Sequence, residues 1–496
     1  MEHVTPASLA ALGVDVGTTN TKVVLAVLGD GVREERTVTV PTPGNGAGLQ
    51  AVVLAALRDV AADSPLPVAA IGIAAMGETG CLTAPDGRPL GNLLRWADGD
   101  GASADRLVAA AGAEALYAAT GVPVPSKSPL SHWLRLSDDG DARLADANWL
   151  GADGLVISAL TGQAATDHTL AARTMAYRLP AAGAGDALSP AFDADLLALA
   201  GLTPDRFPRV ARPGETAGRL TAAAAAATGL AAGLPVIAAG HDHAVGAWAA
   251  GVRAPGDAAD SVGTAEALLR VTADVPREGA LRHGMSLGRT VDGRHETLLA
   301  GNPAAGALVE WTFAELLPGT DRNDVLAQAL ACADGPVEAF LLPYLRGRQS
   351  PAPDASATPR LVDLTGGSAA ASTRLADPAS TLTAVLAGLA LQLAWMDAAQ
   401  TELAGPRRER LAVLGGPGAG NDAWWRLKQR ILPGSLGRVD AAEPVATGAA
   451  MLAAHRVAGL TTSLPLRSAD SAASAGDPAL LDAFVQAATL HDKETV

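Results

Sequence analysis

Cysteine is almost missing from this chain: Cys81 and Cys332 are the only two among 496 residues. Two isolated cysteines make neither a disulfide framework nor a zinc cluster, and they fit a reducing compartment. Aromatic side chains are scarce at 3%, so Ala, Val and Leu must fill the interior. Positive charge is in deficit, with 37 Lys and Arg against 52 Asp and Glu and a formal net charge of −15. That balance argues against a general nucleic-acid surface and against an anionic membrane surface. Nucleotide binding survives it, because backbone N–H groups and Mg²⁺ hold phosphates without a basic exterior. No basic segment followed by an apolar one opens the chain, so no signal peptide is expected. The most apolar stretches are 222–239, mostly Ala and Gly with Pro235 inside, and 384–396, too short for a bilayer. A cytoplasmic protein with no membrane and no nucleic-acid partner is expected.

What is present reads as globular, with 49% hydrophobic and 18% charged residues. The length asks for two domains of roughly 200–250 residues. The run Ala222–Ala227 reads as helix, since Ala has the highest helix propensity. Leu12–Val27 reads as strand, tight turn, strand, and Asp260–Val271 repeats the plan. The two share Val-Gly-Thr, at 16–18 and 262–264, half a chain apart. Gly and Pro in 251–257 mark a boundary, and the Ala-, Gly- and Pro-rich 181–221 reads as a surface excursion. Leu382, Val385, Leu386, Leu389, Leu393 and Met396 predict a buried helix over 379–404, and Pro444 opens another over 441–457. The stretch 460–478 reads as loop before a short last helix.

Three segments carry chemistry. Gly13–Lys22 combines a strand-borne Asp15 with a glycine turn and the hydroxyls of Thr18, Thr19 and Thr21, which suits a phosphate chain and Mg²⁺; an ordinary hairpin is the alternative. Ala238–Trp248 sets Asp242 between His241 and His243, after an apolar strand and before a small-residue helix. Asp242 there could take a proton from a substrate hydroxyl or merely cap the helix. Two His flanking one Asp make a poor zinc set without further ligands. Leu411–Trp425 is again strand, glycine-rich turn and helix, and three such turns together weigh more than any one.

In this order these segments resemble the FGGY carbohydrate kinases of the actin/hexokinase superfamily, from about residue 12 to 456. Phe340–Pro351 is similar to the family's proline–tyrosine segment, with Arg348 where Glu is usual, and Pro444–Ala454 to its C-terminal helix. The resemblance implies an α/β fold of two actin-like (ribonuclease H-like) domains, each a mixed sheet flanked by helices, with a cleft between them. Residues 1–250 would carry the substrate and phosphate motifs, 251–458 the nucleotide site, and 459–496 a tail with a short helix. It further implies ATP and Mg²⁺ as cofactors, Asp15 as the metal residue and Asp242 as catalytic base. Thr18, Thr19 and Asn20 would lie at the phosphates, Lys22 stands where glycerol kinases carry a nucleotide-contacting Arg, and Thr264, Gly306, Glu310, Gly416, Gly418 and Asn421 would lie at the nucleotide. Pro417 departs from the family's third glycine in the adenosine motif. Gly77, Glu78, Trp96, Asp98 and His243, with Asp242, would meet the substrate; Trp96 is equally readable as core packing. Glu78 would contact a diol, or else cap a helix or pair with Arg88 or Arg95.

The expected activity is transfer of the ATP γ-phosphoryl to a hydroxyl of a small sugar or polyol, a ketose, pentose, tetrose or related polyol. Glycerol should serve poorly, because Gly77 stands where glycerol kinases carry Arg. One rival is a non-catalytic sugar sensor, disfavoured by the intact Asp15, Asp242 and Val-Gly-Thr turns. The other is a kinase of a carboxylate, disfavoured because 71–80 holds no Arg or Lys. A homodimer is an expected assembly.

Overall fold

The computed structural model describes residues 8–99, 101–124, 127–180, 188–365, 376–405, 408–415, 420–468 and 473–490. It divides into two compact units. The first comprises Met1–Arg253, Ser286–Thr297 and Ala441–Pro465, the second Ala254–Met285, Leu298–Asp440 and Leu466–Val496.

The first unit is built on a six-stranded sheet, ordered Val32–Pro41, Asn20–Leu28, Leu9–Val16, Val68–Ala75, Pro235–His241, Gly218–Arg219. The hairpin expected over 12–27 is the antiparallel pair Leu9–Val16 and Asn20–Leu28, closed by the Gly17 N–H donating to the Asn20 carbonyl at 3.1 Å. Leu9–Val16, Val68–Ala75 and Pro235–His241 run parallel and are buried on both faces, which is why their sequences are almost unbroken apolar runs. Val16 lies opposite Ala75, and His241 opposite Ala75 from the other side, so the three strands end at one level.

Helices Gly46–Ala61 and Ala152–Thr161 pack Leu49, Val53, Leu57, Leu155 and Ile157 with Leu12 and Val14. Residue 13 faces the other way, by the alternation of a strand. A Cβ there would meet the Ala446 carbonyl oxygen at 1.8 Å, so only glycine lets the Pro444–Ala458 helix lie this close to the sheet. The Glu34 carboxylate fixes the start of that helix, accepting from the Glu443 N–H at 3.3 Å and the Thr447 hydroxyl at 2.6 Å.

The expectation of a surface excursion over 181–221 is corrected. Phe192, Leu196, Leu197 and Val210 are buried in a core with Trp133 and Tyr177; residues 181–187 lie outside the described residues. Phe192, the adjacent Leu196 and Leu197, and Val210 are separated by polar residues, Ala, Gly and Pro, which hide them in the sequence.

The second unit repeats the plan. Ala258–Val262 pairs antiparallel with Glu266–Thr272 and parallel with Arg410–Gly415, which runs parallel with Ser435–Val439. Leu466–Ser468 adds an antiparallel strand within the expected loop 460–478. The helix Pro378–Ala404 exceeds the apolar stretch 384–396 and, at 27 residues, is long and apolar enough to cross a membrane; 83% of its apolar window is nevertheless buried inside the protein. Its Asp397 accepts from Arg270 at 2.9 Å and from Arg408 at 2.9 Å, all three buried. Arg348 is buried and donates to the Ala488 carbonyl at 2.7 Å, tying the last helix, Pro478–Thr489, to the proline–tyrosine segment.

Candidate active site

The common end-level of the three parallel strands decides what gathers in the first unit. Asp15 is the penultimate residue of one strand, Met76–Glu78 follow the second, and Asp242 follows the third. Carboxyl ends of parallel strands are where α/β sheets present ligand-binding groups.

Asp15 is 7% exposed, and its Oδ1 finds no hydrogen-bond partner among the described residues. Burial, reinforced by Asp242 and by Glu443 against the opposing Lys22, raises its pKa to about 7. Lys22 is its partner across the hairpin and reaches Glu443 at 2.6 Å. A buried, unsatisfied carboxylate oxygen within the field of a second carboxylate is a hard-oxygen setting that a Mg²⁺ ion would satisfy, so the residues present fit that ion.

Asp242 is the first residue of the helix Asp242–Ala249, and the capping position belongs to His241. The helix-cap alternative for Asp242 is therefore corrected: its Oδ1 accepts from the adjacent His243 N–H at 2.6 Å and lies 3.2 Å from His241 Nε2. Its side chain keeps 24% exposure, so it can meet a substrate. Burial above all lowers the His241 pKa to about 4, so that ring is neutral at pH 7. Ligand atoms of His241, Asp242 and His243 lie within 4.8 Å of one another, and no further His, Cys, Asp or Glu joins them among the described residues.

Glu78 has φ of +58°, a left-handed conformation that is strained by roughly 1–3 kcal/mol for a non-glycine residue and gathers at functional sites. Neither Arg88 nor Arg95 pairs with it. Arg173 does, with Nε at 2.9 Å and a second contact through Nη2, and Lys127 Nζ lies 3.8 Å away. Burial alone would raise the Glu78 pKa, but Arg173, Lys127 and His241 outweigh it and bring it down to about 2. Gly77 is wedged between the same groups: a Cβ there would lie 3.0 Å from Arg173 Cγ and 3.2 Å from His241 Cδ2.

Trp96 is half-buried rather than core. Its indole N–H donates to the Thr18 hydroxyl at 3.1 Å, which joins the expected sugar-facing ring to the phosphate turn. Thr18 and Thr19 are exposed, and Asn20 begins the second strand of the hairpin. Asp98 is turned toward Arg95, accepting from its backbone N–H at 3.1 Å.

In the second unit, Thr264 sits exposed in the turn between the paired strands. Its carbonyl accepts from Ala307 N–H at 3.0 Å, and Gly263 O accepts from Gly306 N–H at 3.1 Å, so helix Gly306–Trp311 begins on that turn. Glu310 forms a surface pair with Arg322, Oε2 to Nη1 2.8 Å. Asn421 caps the helix Asp422–Ile431 by accepting from Trp424 N–H at 3.0 Å. Gly416 and Gly418, with Pro417, lie outside the described residues.

Sequence reasoning missed Arg173 and Lys127, and the argument that 71–80 lacks a cation fails because the cations come from other segments. A signal existed. Thr166-Asp167-His168-Thr169 and Arg173-Thr174 put six polar residues into a stretch whose every residue is buried. Such density is rare unless each group has a task. Asp167 caps the helix His168–Ala172, and Thr169 Oγ1 accepts from the His241 N–H at 2.7 Å, so this segment holds the strand end that presents Asp242.

Residues 10–249 match the family model for the FGGY family of carbohydrate kinases, N-terminal domain, and residues 258–457 that for the C-terminal domain. The chain is 30% identical over 399 residues to a glycerol kinase of Aromatoleum aromaticum, covering 78% of this chain and 75% of that one. It is 30% identical over 183 residues to an L-fuculokinase of Escherichia coli, 36% of this chain and 37% of that one. Among solved structures it resembles a xylulose kinase from Rhodospirillum rubrum, with TM-score 0.78, 24% identity and coverage of 97% and 99%. A gluconate kinase from Lactobacillus acidophilus matches with TM-score 0.80, 20% identity and coverage of 98% and 97%. The two-domain actin-like fold, with mixed sheets flanked by helices, is thereby shown.

Proposed function

Because this chain belongs to the FGGY family of carbohydrate kinases, whose members phosphorylate sugar or polyol hydroxyls with ATP, we propose that Asp242 is its general base for that transfer. The observation that supports this most is the level at which three parallel strands end, which gathers Asp15, Gly77-Glu78 and Asp242 from segments up to 227 residues apart in sequence. Asp242, part-exposed and flanked by the neutral His241, takes the proton from the attacking hydroxyl. Asp15 would hold Mg²⁺, whose charge would offset that on the transferring phosphoryl. The exposed hydroxyls of Thr18 and Thr19 donate to the phosphates, and Lys22 supplies positive charge beside them. Glu78, kept ionised by Arg173 and Lys127, accepts from substrate hydroxyls. The second unit contributes the nucleotide contacts, through the Thr264 turn, the start of the Gly306–Trp311 helix and Asn421.

Lys127 and Arg173 favour a second reading of the substrate, a sugar acid whose carboxylate meets Lys127, one-third exposed and only 3.8 Å from Glu78. One panel separates the two: ADP release with tetroses, pentoses, hexoses, their polyols and aldonates, and glycerol, run beside Lys127→Met. Neutral sugars as best substrates, with Lys127→Met scarcely affected, support the first reading. Aldonates preferred in the wild type and lost in the variant support the second. No ADP release above background with any of them would refute a sugar-kinase activity.

A further inference from the structure

Away from the strand ends, the first unit holds a separate cavity of about 750 Å³, within the roughly 300–1,000 Å³ common for small-ligand sites. The helix that starts at Asp242 ends at its wall with Trp248, whose ring lies 5.8 Å from that of His455. Six residues of helix put Trp248 about 9 Å along the axis from Asp242. Four arginines line the cavity, Arg212, Arg253, Arg294 and Arg456, against one carboxylate, Asp292. In a chain of formal charge −15 this is a local reversal of sign.

Arg456 is half-buried; its recorded bond is 3.5 Å to the Val291 carbonyl, and it forms no ion pair among the described residues. Burial lowers its pKa, with Arg294 adding to the fall, and the opposing fields of Asp292 and Asp167 do not make up for the lost water. Arg212 likewise has no ion pair among the described residues. Arg253 stacks 4.0 Å over Trp248 and donates to the Trp248 carbonyl at 3.0 Å, a fixed orientation. Asp292 is already engaged, accepting from the Thr290 hydroxyl at 2.6 Å and the Arg294 N–H at 3.2 Å, while Arg294 Nε stands 3.9 Å from it.

We propose that this cavity binds a small polyanion, a phosphate ester or polycarboxylate of the size of a phosphorylated sugar, at a site separate from the phosphotransfer centre. Guanidinium forks match both kinds of oxyanion, and clustered like charges repel one another until such an anion arrives. The test titrates inorganic pyrophosphate and, separately, citrate into the full chain by calorimetry. EDTA and saturating ADP are present, and chloride holds ionic strength constant. One binding event per chain is expected with at least one anion; pyrophosphate alone would mark a phosphate ester, citrate alone a polycarboxylate. Arg456→Ala and Arg294→Glu should each weaken it at least tenfold, on the order of one charged hydrogen bond. Arg294 is 76% exposed, so its substitution leaves the fold intact and decides the matter alone if Arg456→Ala does not fold. Binding of neither anion, or undiminished affinity in Arg294→Glu, overturns the proposal. ADP affinity, titrated first, reports independently on the nucleotide site.

Discussion

Arg173→Met removes the charge that keeps Glu78 ionised inside the first unit while preserving most of the side-chain volume. Glu78 and Arg173 side chains are 8% and 11% exposed, so solvent screens the pair little. The fall of the Glu78 pKa from an ordinary 4.5 to about 2 corresponds to about 3 kcal/mol at 1.4 kcal/mol per tenfold. That agrees with the roughly 3–5 kcal/mol lost when one partner of a buried pair is deleted. Lys127, 3.8 Å away, can compensate in part, so a loss of about 2–3 kcal/mol is expected in urea unfolding at pH 7. Glu78→Gln and the double variant complete a cycle, with a coupling of at least about 1 kcal/mol expected. The sign with pH follows from a depressed folded-state pKa. The stabilisation is complete above about 4.5 and is lost as pH falls toward about 2, so the gap between wild type and Arg173→Met should shrink below pH 4.5. Single variants within about 0.5 kcal/mol of wild type at pH 7, or a gap that widens in acid, would refute the reasoning.

Glu78→Gln should also raise KM for the sugar several-fold while leaving KM for ATP nearly unchanged; a parallel rise in both would assign Glu78 to structure alone. Asp15 titrates at about 7. A carboxyl with a raised folded-state pKa favours folding at low pH and gives up that advantage as pH rises through 7, and below 7 a cation must displace its proton. Apparent affinity for Mg²⁺ with ATP should therefore rise about tenfold from pH 6 to 8, measured by calorimetry, and Asp15→Asn should flatten that rise; identical profiles in wild type and variant would contradict it. Glycerol should be phosphorylated less efficiently than the best sugar of the panel, since the space beside Gly77 is filled by Arg173, itself committed to Glu78; equal kcat/KM for glycerol would contradict this.

The strands and helices carrying the site were legible because their signals are local. Apolar runs broken by Gly-Thr or Gly-His-Asp mark where a parallel strand ends, and Pro444 marks a helix start. That pattern places Asp15 and Asp242 at strand ends, and the family resemblance implies their roles. The partners of Glu78 were not legible, because Arg173 lies 95 residues away, and nearness in sequence pointed to Arg88 and Arg95 instead. Phe192, Leu196 and Val210 were hidden for a related reason: a lone loop position, a five-residue helix and a three-residue strand are too short to show a period. The cationic cavity draws its arginines from four separate segments and leaves no motif at all.

The most direct test of the account is the turnover of Asp242→Asn. The substitution keeps the size of the side chain and the oxygen that accepts from His243, but it removes the base. With the best sugar of the panel, kcat should fall by about 10²–10⁴-fold, while the Kd values for ATP and sugar stay within a few-fold of wild type. A variant that turns over within a few-fold of wild type would remove Asp242 from the reaction and contradict the account.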